Sequence, residues 1–310
     1  EERTSVEPIL RPAVTMATLY RPRVVRRGAD SSSAPRSGAR IGPTDVRSSS
    51  SVSKSGGSSS SIAALETPPA AVLETSVASG VSGSAFVEVG GSRVVCTVRG
   101  PRAIKRSADF GDEGSIECRV RLAPFALYRF SSGSVTSRNV ETLRMKSEQY
   151  FSSALVRALK GSVRLDRFPK SVLEIDALVL SDDGEALSAL ISCASLAVAD
   201  SGVEVLDLVA SSSVGVVSGL GTELEYLQNP NSTQQARSLG VMTMSLLPSS
   251  ETVADLSVKG MLSYEQAGEA TKRCFEGCIR MHRQMRDHLV LKAEQAFKAL
   301  DNDNDSEAEM

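Results

Sequence analysis

The chain is predicted to fold as an α+β protein with mainly antiparallel sheets, on three observations. Two β-rich runs flank a Gly90-Gly91 turn, further strand-like runs arrive in groups, and the segments around Leu190 and Cys278 space their apolar residues as helices do. The resulting order is strands, helix, strands, helix, strands, helix, which is the pattern of an α+β domain and not of strict βα alternation.

Taken in order, Ser84 to Val89 and Ser92 to Val98 alternate apolar and polar residues about the glycine pair and predict a hairpin. Ser115 to Leu122 predicts another strand, closed by Pro124. From Val140 through Leu143, Phe151, Leu155 and Leu159 the spacing turns helical, and Gly161 stands where a C-terminal cap belongs. Val172 to Leu180 is an apolar strand that breaks at Ser181-Asp182-Asp183-Gly184. The helix that follows, carrying Leu187, Leu190, Ile191, Ala194, Leu196 and Val198, is apolar on most sides and is expected to be buried. Strands are predicted at Val203 to Val209, Ser213 to Val217, Thr222 to Leu227 and Met242 to Leu247. The last helix starts at Ser263, which with Gln266 makes a capping box, and bears the stripe Cys274, Cys278, Met281, Met285, Leu289.

The flanks differ in composition. Residues 1 to 47 carry nine arginines against five acids, and ten of the fourteen residues from Ser48 to Ser61 are serine, too polar to bury a core. Asp301, Asp303, Asp305, Glu307 and Glu309 form a self-repelling acidic end. A net charge of −2 over 310 residues argues against nucleic-acid binding through bulk positive charge, so any anion site must be local. The longest weakly polar stretch, Ala186 to Ala199, is too short and too wet to span a bilayer. Five cysteines without paired spacing point to a reducing compartment.

Several chemistries are disfavoured. Both histidines, His282 and His288, fall near the end of the terminal helix among arginines, which leaves no plausible base for a serine or cysteine nucleophile. Cys274, Cys278 and His282 share helical spacing, but that spacing also fits a core stripe, and no fourth metal ligand is evident. Gly219-Leu220-Gly221 joins two strands and fails the dinucleotide pattern, and no P-loop sequence occurs. The start of the buried helix is a natural phosphate site by its free N–H groups. Here Asp182, Asp183 and Glu185 are expected to cap those groups and repel an anion, and no Lys or Arg lies between Lys170 and Arg237.

Gly83-Ser84-Ala85-Phe86-Val87-Glu88-Val89-Gly90-Gly91, Val94-Val95-Cys96, Gly100-Pro101-Arg102, Ala123-Pro124-Phe125, Asp183-Gly184, Ala197 to Val203 and Asp207-Leu208-Val209 follow one another in an order and spacing that resembles the RNase PH domains. The resemblance is greatest to the RNase PH-like ring subunits of the eukaryotic RNA exosome. It implies an RNase PH domain (ribosomal protein S5 domain 2-like) at residues 70–298, built of two βαβα-type halves with mainly antiparallel sheets inside and outer helices. A disordered basic and Ser-rich extension at 1–69 and a disordered acidic tail at 299–310 complete the expected organisation.

Active members of that family degrade RNA from its 3′ end with phosphate as nucleophile, which needs a cationic cradle and a carboxylate pair. Their Asp-Gly-Gly-Thr-Arg turn corresponds to Asp183, Gly184, Glu185, Ala186 and Leu187, so both phosphate-holding side chains are replaced. Their catalytic carboxylates would fall between Tyr226 and Ser250, where no Asp or Glu occurs. The expectation is a subunit without catalytic residues, metal or cofactor. It would pair with other RNase PH-like subunits in a hetero-hexameric ring beneath S1/KH-type cap subunits, in nucleus, nucleolus and cytoplasm, with no membrane contact. Arg99, Arg102, Lys105 and Arg106, on a loop that faces the pore in that family, are the RNA-binding candidates; an ordinary solvated basic loop is the alternative. Arg129, Arg138, Arg144 and Lys146 form a second, scattered basic region. The rival functions are an active phosphate-dependent 3′ exoribonuclease and an RNase PH-fold protein outside the exosome.

Overall fold

A computed structural model describes residues 71–103, 112–126, 137–218 and 224–308, with side chains described over 71–103, 112–126, 141–218 and 224–298. Among the described residues, nine strands form two sheets. The first holds β1 (Ala71–Thr75), β2 (Gly83–Val89), β3 (Ser92–Ala103), β4 (Ser115–Leu122) and β5 (Ser171–Ser181) in the order β1-β2-β3-β5-β4. Only β4 and β5 pair in parallel, because α1 (Ser137–Lys160) carries the chain back across the sheet between them. The second sheet, order β7-β6-β8-β9, is antiparallel throughout and contains β6 (Ala210–Ser218), β7 (Leu224–Gln228), β8 (Ser238–Leu247) and β9 (Thr252–Gly260).

Alternation along the first sheet sends Ala85, Val87, Val89, Val94, Cys96, Val98, Leu173, Ile175 and Val179 to one face, where all are fully buried. Against that face lies α2 (Ala186–Asp200), buried from Ala186 to Val198. Its other side meets the second sheet through Val209 and Ala210, so one core is shared by both halves. The expected outer placement of the helices therefore does not hold for α2. A helix apolar on all sides finds no solvent-compatible face, and each fully buried Leu or Ile, such as Leu190, Ile191 and Leu196, contributes about 2 kcal/mol by leaving water.

The second sheet is covered by α4 (Tyr264–Ala308), whose capping box is present: Ser263 N–H donates to Gln266 Oε1 at 2.9 Å and Gln266 N–H to Ser263 Oγ at 3.3 Å. Cys274 and Cys278 donate to the carbonyls of Met242 and Met244 at 3.6 and 3.3 Å, and Met281 and Met285 are buried. The Cys274-Cys278-His282 spacing is thus a packing stripe, with His282 Nε2 turned to Asp207 Oδ1 at 3.1 Å. Burial pushes the Cys278 thiol up to about 12, away from any nucleophilic role.

Some elements differ from the sequence expectations. Val203–Val209 is no strand: Val205 makes a single bridge to Val163, while Asp207 Oδ1 accepts from Leu208 N–H and Asp207 Oδ2 from Ser249 N–H, diverting backbone donors from a ladder. β1, β9 and a short helix α3 (Ser232–Arg237) are additional. α4 continues through the acidic stretch to Ala308, past the expected boundary at 298, since extending a formed helix needs no new nucleus.

Two glycines give the packing a measurable sign. A Cβ on Gly83 would stand 2.4 Å from Ala197 O and from Ser201 N, both backbone, where β2 meets the end of α2. Gly83→Ala is expected to destabilise by about 3 kcal/mol. Gly268→Ala, on α4 with nothing within 4 Å, is expected to stabilise by about 1 kcal/mol. Urea midpoints of the two variants, moving in opposite directions, check both.

Candidate functional site

The chain leaves β5 at Ser181 and enters α2 within a four-residue turn, and only a left-handed residue can make that reversal. Gly184 supplies it at φ +104°, and a Cβ there would meet the Gln235 side chain at 2.6 Å. Asp182 Oδ1 accepts from Gly184 N–H at 2.7 Å. Asp183 N–H donates to Ser92 Oγ at 2.9 Å, and Asp183 Oδ1 accepts from Ser232 N–H and Ser232 Oγ at 3.2 and 2.9 Å. The turn is therefore tied to the hairpin turn on one side and to α3 on the other.

Glu185 is the N-cap residue of α2, yet its side chain makes no capping bond. It turns inward, 4% exposed, where Oε1 accepts from Ser213 Oγ of β6 and from Gln235 Nε2 at 3.4 Å. Gln235 Nε2 also donates to Gly184 O at 2.9 Å and Pro230 O at 3.1 Å. Glu185 Oε2 and Ser188 Oγ are buried without a hydrogen-bond partner. The expected self-capping by three carboxylates is thus corrected. Asp182 caps one N–H of the turn, while Asp183 and Glu185 serve contacts between elements, because Ser213, Ser232 and Gln235 approach from segments distant in sequence.

This geometry is hostile to an anion. Three carboxylates surround the helix start, and the next two positions, Ala186 and Leu187, are buried and apolar. Desolvation holds the Glu185 carboxyl above its ordinary range, at about 7, against the opposing hydrogen bond from Ser213. The segment from Tyr226 to Ser250 folds as the end of β7, α3 and β8 and brings no acid to the site. α3 itself is held by a capping box, Gln234 N–H donating to Asn231 Oδ1 at 2.9 Å and Asn231 N–H to Gln234 Oε1 at 2.8 Å. That Asn-x-x-Gln pattern was the visible signal for α3; Ser92, Ser213 and Gln235 carried none.

The cationic candidates lie elsewhere. Val98 and Ile175 point toward α2, so Arg99, Glu174 and Asp176 project from the opposite, solvent face of the first sheet. Arg99 Nη1 sits 2.9 Å from Asp176 Oδ2, Arg102 Nη1 3.6 Å from Glu174 Oε2, and Arg119 Nη1 3.5 Å from Asp176 Oδ1. Arg99 and Arg102 are brought together as neighbouring exposed ion pairs. Lys105 and Arg106 lie outside the described residues, as does Arg129. Arg144 is paired with Glu148 at 3.0 Å and with Glu141 at 3.7 Å. Among the described residues no cluster of ligating side chains could hold a metal ion.

A pH test follows from Glu185. Its folded-state value lies above its unfolded one, so the stability it permits is full below the unfolded value and is lost as pH rises through about 7. Glu185→Gln should remove that loss. The variant's advantage in melting temperature over the native chain is expected to grow between about pH 5 and about pH 8, as differential scanning fluorimetry would record; an advantage independent of pH would refute the assignment.

The model of the 3′ exoribonuclease family, domain 1 (RNase PH), matches residues 70–204. The chain is 32% identical over 223 residues to the exosome complex component RRP41-like of Arabidopsis thaliana, covering 72% of this chain and 80% of that protein. It is 34% identical over 227 residues to the exosome complex component MTR3 of Homo sapiens, covering 68% and 78%. The crystal structure of rice (Oryza sativa) Rrp46 superposes with a TM-score of 0.59 at 18% identity over 73% of this chain and 97% of that one, and an archaeal exosome core chain with a TM-score of 0.57 at 17% identity over 72% and 88%. At those identities the two structures speak for the fold alone, whereas the curated relatives carry sequence kinship over most of both chains. Two sheets sharing a buried α2, the Asp183-Gly184 turn at its start and that kinship establish that the chain belongs to the RNase PH family of 3′ exoribonuclease-type domains.

Proposed function

We propose that this chain is a non-catalytic structural subunit of an RNA exosome ring, supporting 3′-to-5′ RNA processing and degradation by helping to assemble the channel through which RNA is threaded. The observation that carries it is the occupation of the α2 start by the chain's own Glu185, closed over by Gln235 and Ser213. Phosphorolysis needs that place to hold an anion. Replacing a preorganised cation by buried carboxylate and leucine forfeits several kcal/mol of transition-state stabilisation. The relatives' names, exosome complex components, support membership of such a complex. The partners proposed are other RNase PH-like subunits in a hexameric ring, S1/KH-type cap subunits and RNA, and the sites proposed are nucleus, nucleolus and cytoplasm.

Arg99 and Arg102, with Lys105 and Arg106, are proposed to contact RNA phosphates. The ion pairs of Arg99 and Arg102 are solvent-exposed and worth about 0–1 kcal/mol, so a phosphate exchanges for the carboxylate at little cost. Contacts of this kind hold any sequence equally and weaken with salt.

Purified protein incubated with single-stranded RNA, inorganic phosphate and magnesium is expected to release no nucleoside diphosphate above background. Phosphate-dependent release that Arg102→Ala abolishes would establish the enzyme instead. For the RNA contacts, a salt series with the reconstituted ring and an oligoadenylate should show the slope of log affinity against log salt falling by about 0.7 for each phosphate contact removed by Arg99→Ala and Arg102→Ala. An unchanged slope would remove these residues from the path of the RNA.

A further inference from the structure

α4 is long enough to serve both halves of the molecule. Its first half packs Ala270, Cys274 and Cys278 against the second sheet, and its second half carries Met281, Met285 and Leu289 onto the core shared with the first. There the helix meets β1. A compact polar cluster joins them. Lys292 Nζ donates to Thr75 Oγ1 at 2.6 Å and to Ser76 Oγ at 2.9 Å, and lies 3.9 Å from Asp200 Oδ1 at the end of α2. Ser76 Oγ in turn donates to Asp200 Oδ1 at 2.7 Å, so one branch of the cluster runs from ammonium through a hydroxyl to a carboxylate.

The other branch ends on a base. Thr75 Oγ1 lies 3.3 Å from His288 Nε2, and Thr75 is buried. An ammonium has donors only, so Thr75 Oγ1 accepts from Lys292 and its single hydrogen is left for His288. Nε2 is then the acceptor, and the ring hydrogen belongs on Nδ1. A second ring proton, on Nε2, would set two cationic donors against one hydroxyl oxygen and strand the hydroxyl hydrogen. Leaving a buried polar hydrogen unmatched is costly. The two branches thus demand opposite things of their ends: a charged carboxylate at Asp200 and an uncharged imidazole at His288.

We propose that His288, Thr75 and Lys292 form a proton-operated clasp: neutral His288 holds the second half of α4 on β1 and the end of α2, and protonation of the ring parts them. Opening uncovers Leu73 of β1 and Leu289 of α4, both of which pack against the shared core. The charged groups around the ring are Lys292 on its own helix, Glu74 on β1 and Asp200 at the end of α2. Burial first and Lys292 second outweigh the two carboxylates and hold the imidazole below its ordinary 6.5. With the folded-state value below the unfolded one, the stability from the clasp is full above 6.5 and is lost as the pH falls through the folded value. Glu185 acts in the reverse direction, its contribution fading as the pH rises, so the two titrations are separable. The clasp lies within one chain and is independent of the ring membership proposed above.

The full chain has two histidines, so its imidazole nitrogen resonances form two sets, and His288→Gln identifies the one that belongs to His288. At about pH 7.5 the native ring is expected to carry its hydrogen on Nδ1, and its titration midpoint is expected below 6.5. A hydrogen on Nε2, or a midpoint at or above 6.5, overturns the clasp, and this reading on the native chain does not depend on any variant folding. Opening is read by amide hydrogen exchange, corrected for its intrinsic pH dependence, in a Glu185→Gln background that removes the other titration. Once the pH is below both midpoints, protection from Arg286 to Lys292 should have fallen by about tenfold for each pH unit that separates the measured midpoint from 6.5. Protection within α2 should hold. His288→Gln, whose amide oxygen can accept from Thr75 without titrating, is expected to keep the α4 protection on acidification; an equal fall in that variant refutes the role of the ring. Thr75→Val removes the shared hydroxyl and should lower the same protection already at about pH 7.5, whereas unchanged protection there would show that the hydroxyl holds nothing.

Discussion

Burial of α2 on every side is the constraint from which the rest of the molecule follows. A helix of Ala, Leu, Ile, Val, Cys and Ser cannot face water, so it draws the five-stranded sheet to one flank and the four-stranded sheet to the other, and a second cluster fills the space between the four-stranded sheet and α4. It also creates an obligation at both ends, because helix termini leave backbone groups without partners. At the C-terminal end the chain turns through Ser201, whose N–H donates to Ala197 O at 3.1 Å. Asp200 there accepts from Ser84 N–H at 2.9 Å and Ser76 Oγ at 2.7 Å, with Lys292 of α4 3.9 Å away, so the helix end is bound to β2 and to the terminal helix together.

The N-terminal end is met by side chains of the chain itself. Free N–H groups and the positive end of the dipole favour a negative charge there whatever its source. In this chain the carboxyl beside the helix start is its own: Glu185 enters the interior, and α3 and β6 supply Gln235 and Ser213 to receive it. A buried carboxylate with one oxygen unpartnered costs stability when ionised, which is why its protonation is displaced toward neutrality. The start of α2 is thereby a joint between the two halves of the domain.

Elements with strong local patterns were legible in the sequence. The Gly90-Gly91 hairpin, the strands β4, β5 and β8, the helices α1 and α2, and the capping box at Ser263 all follow from period, turn chemistry and caps. β9 was missed because its sequence mixes Asp255, Ser257 and Lys259 with half-exposed aliphatics; it is an edge strand whose polar face is held by α1. Val203 to Val209 has strand-like composition but loses its donors to Asp207 and Ser195, the latter accepting from Val209 N–H at 2.8 Å. At the candidate site, Asp182, Asp183, Glu185 and the absence of nearby cations could be read directly. Ser92, Ser213 and Gln235 could not, because each comes from a different strand, turn or helix.

The order and spacing of this chain's motifs carried the resemblance to the RNase PH family, and which side chains stand at the Asp183-Gly184 turn is a property of the sequence. Only the tertiary structure decided where the carboxylates turn, that Arg99 and Arg102 share the solvent face with Asp176 and Glu174, and that β9 is left at an edge. The physical reason is range: periodicity and caps act over a few residues, whereas burial, pairing and the direction of a charge depend on neighbours that folding brings from far along the chain.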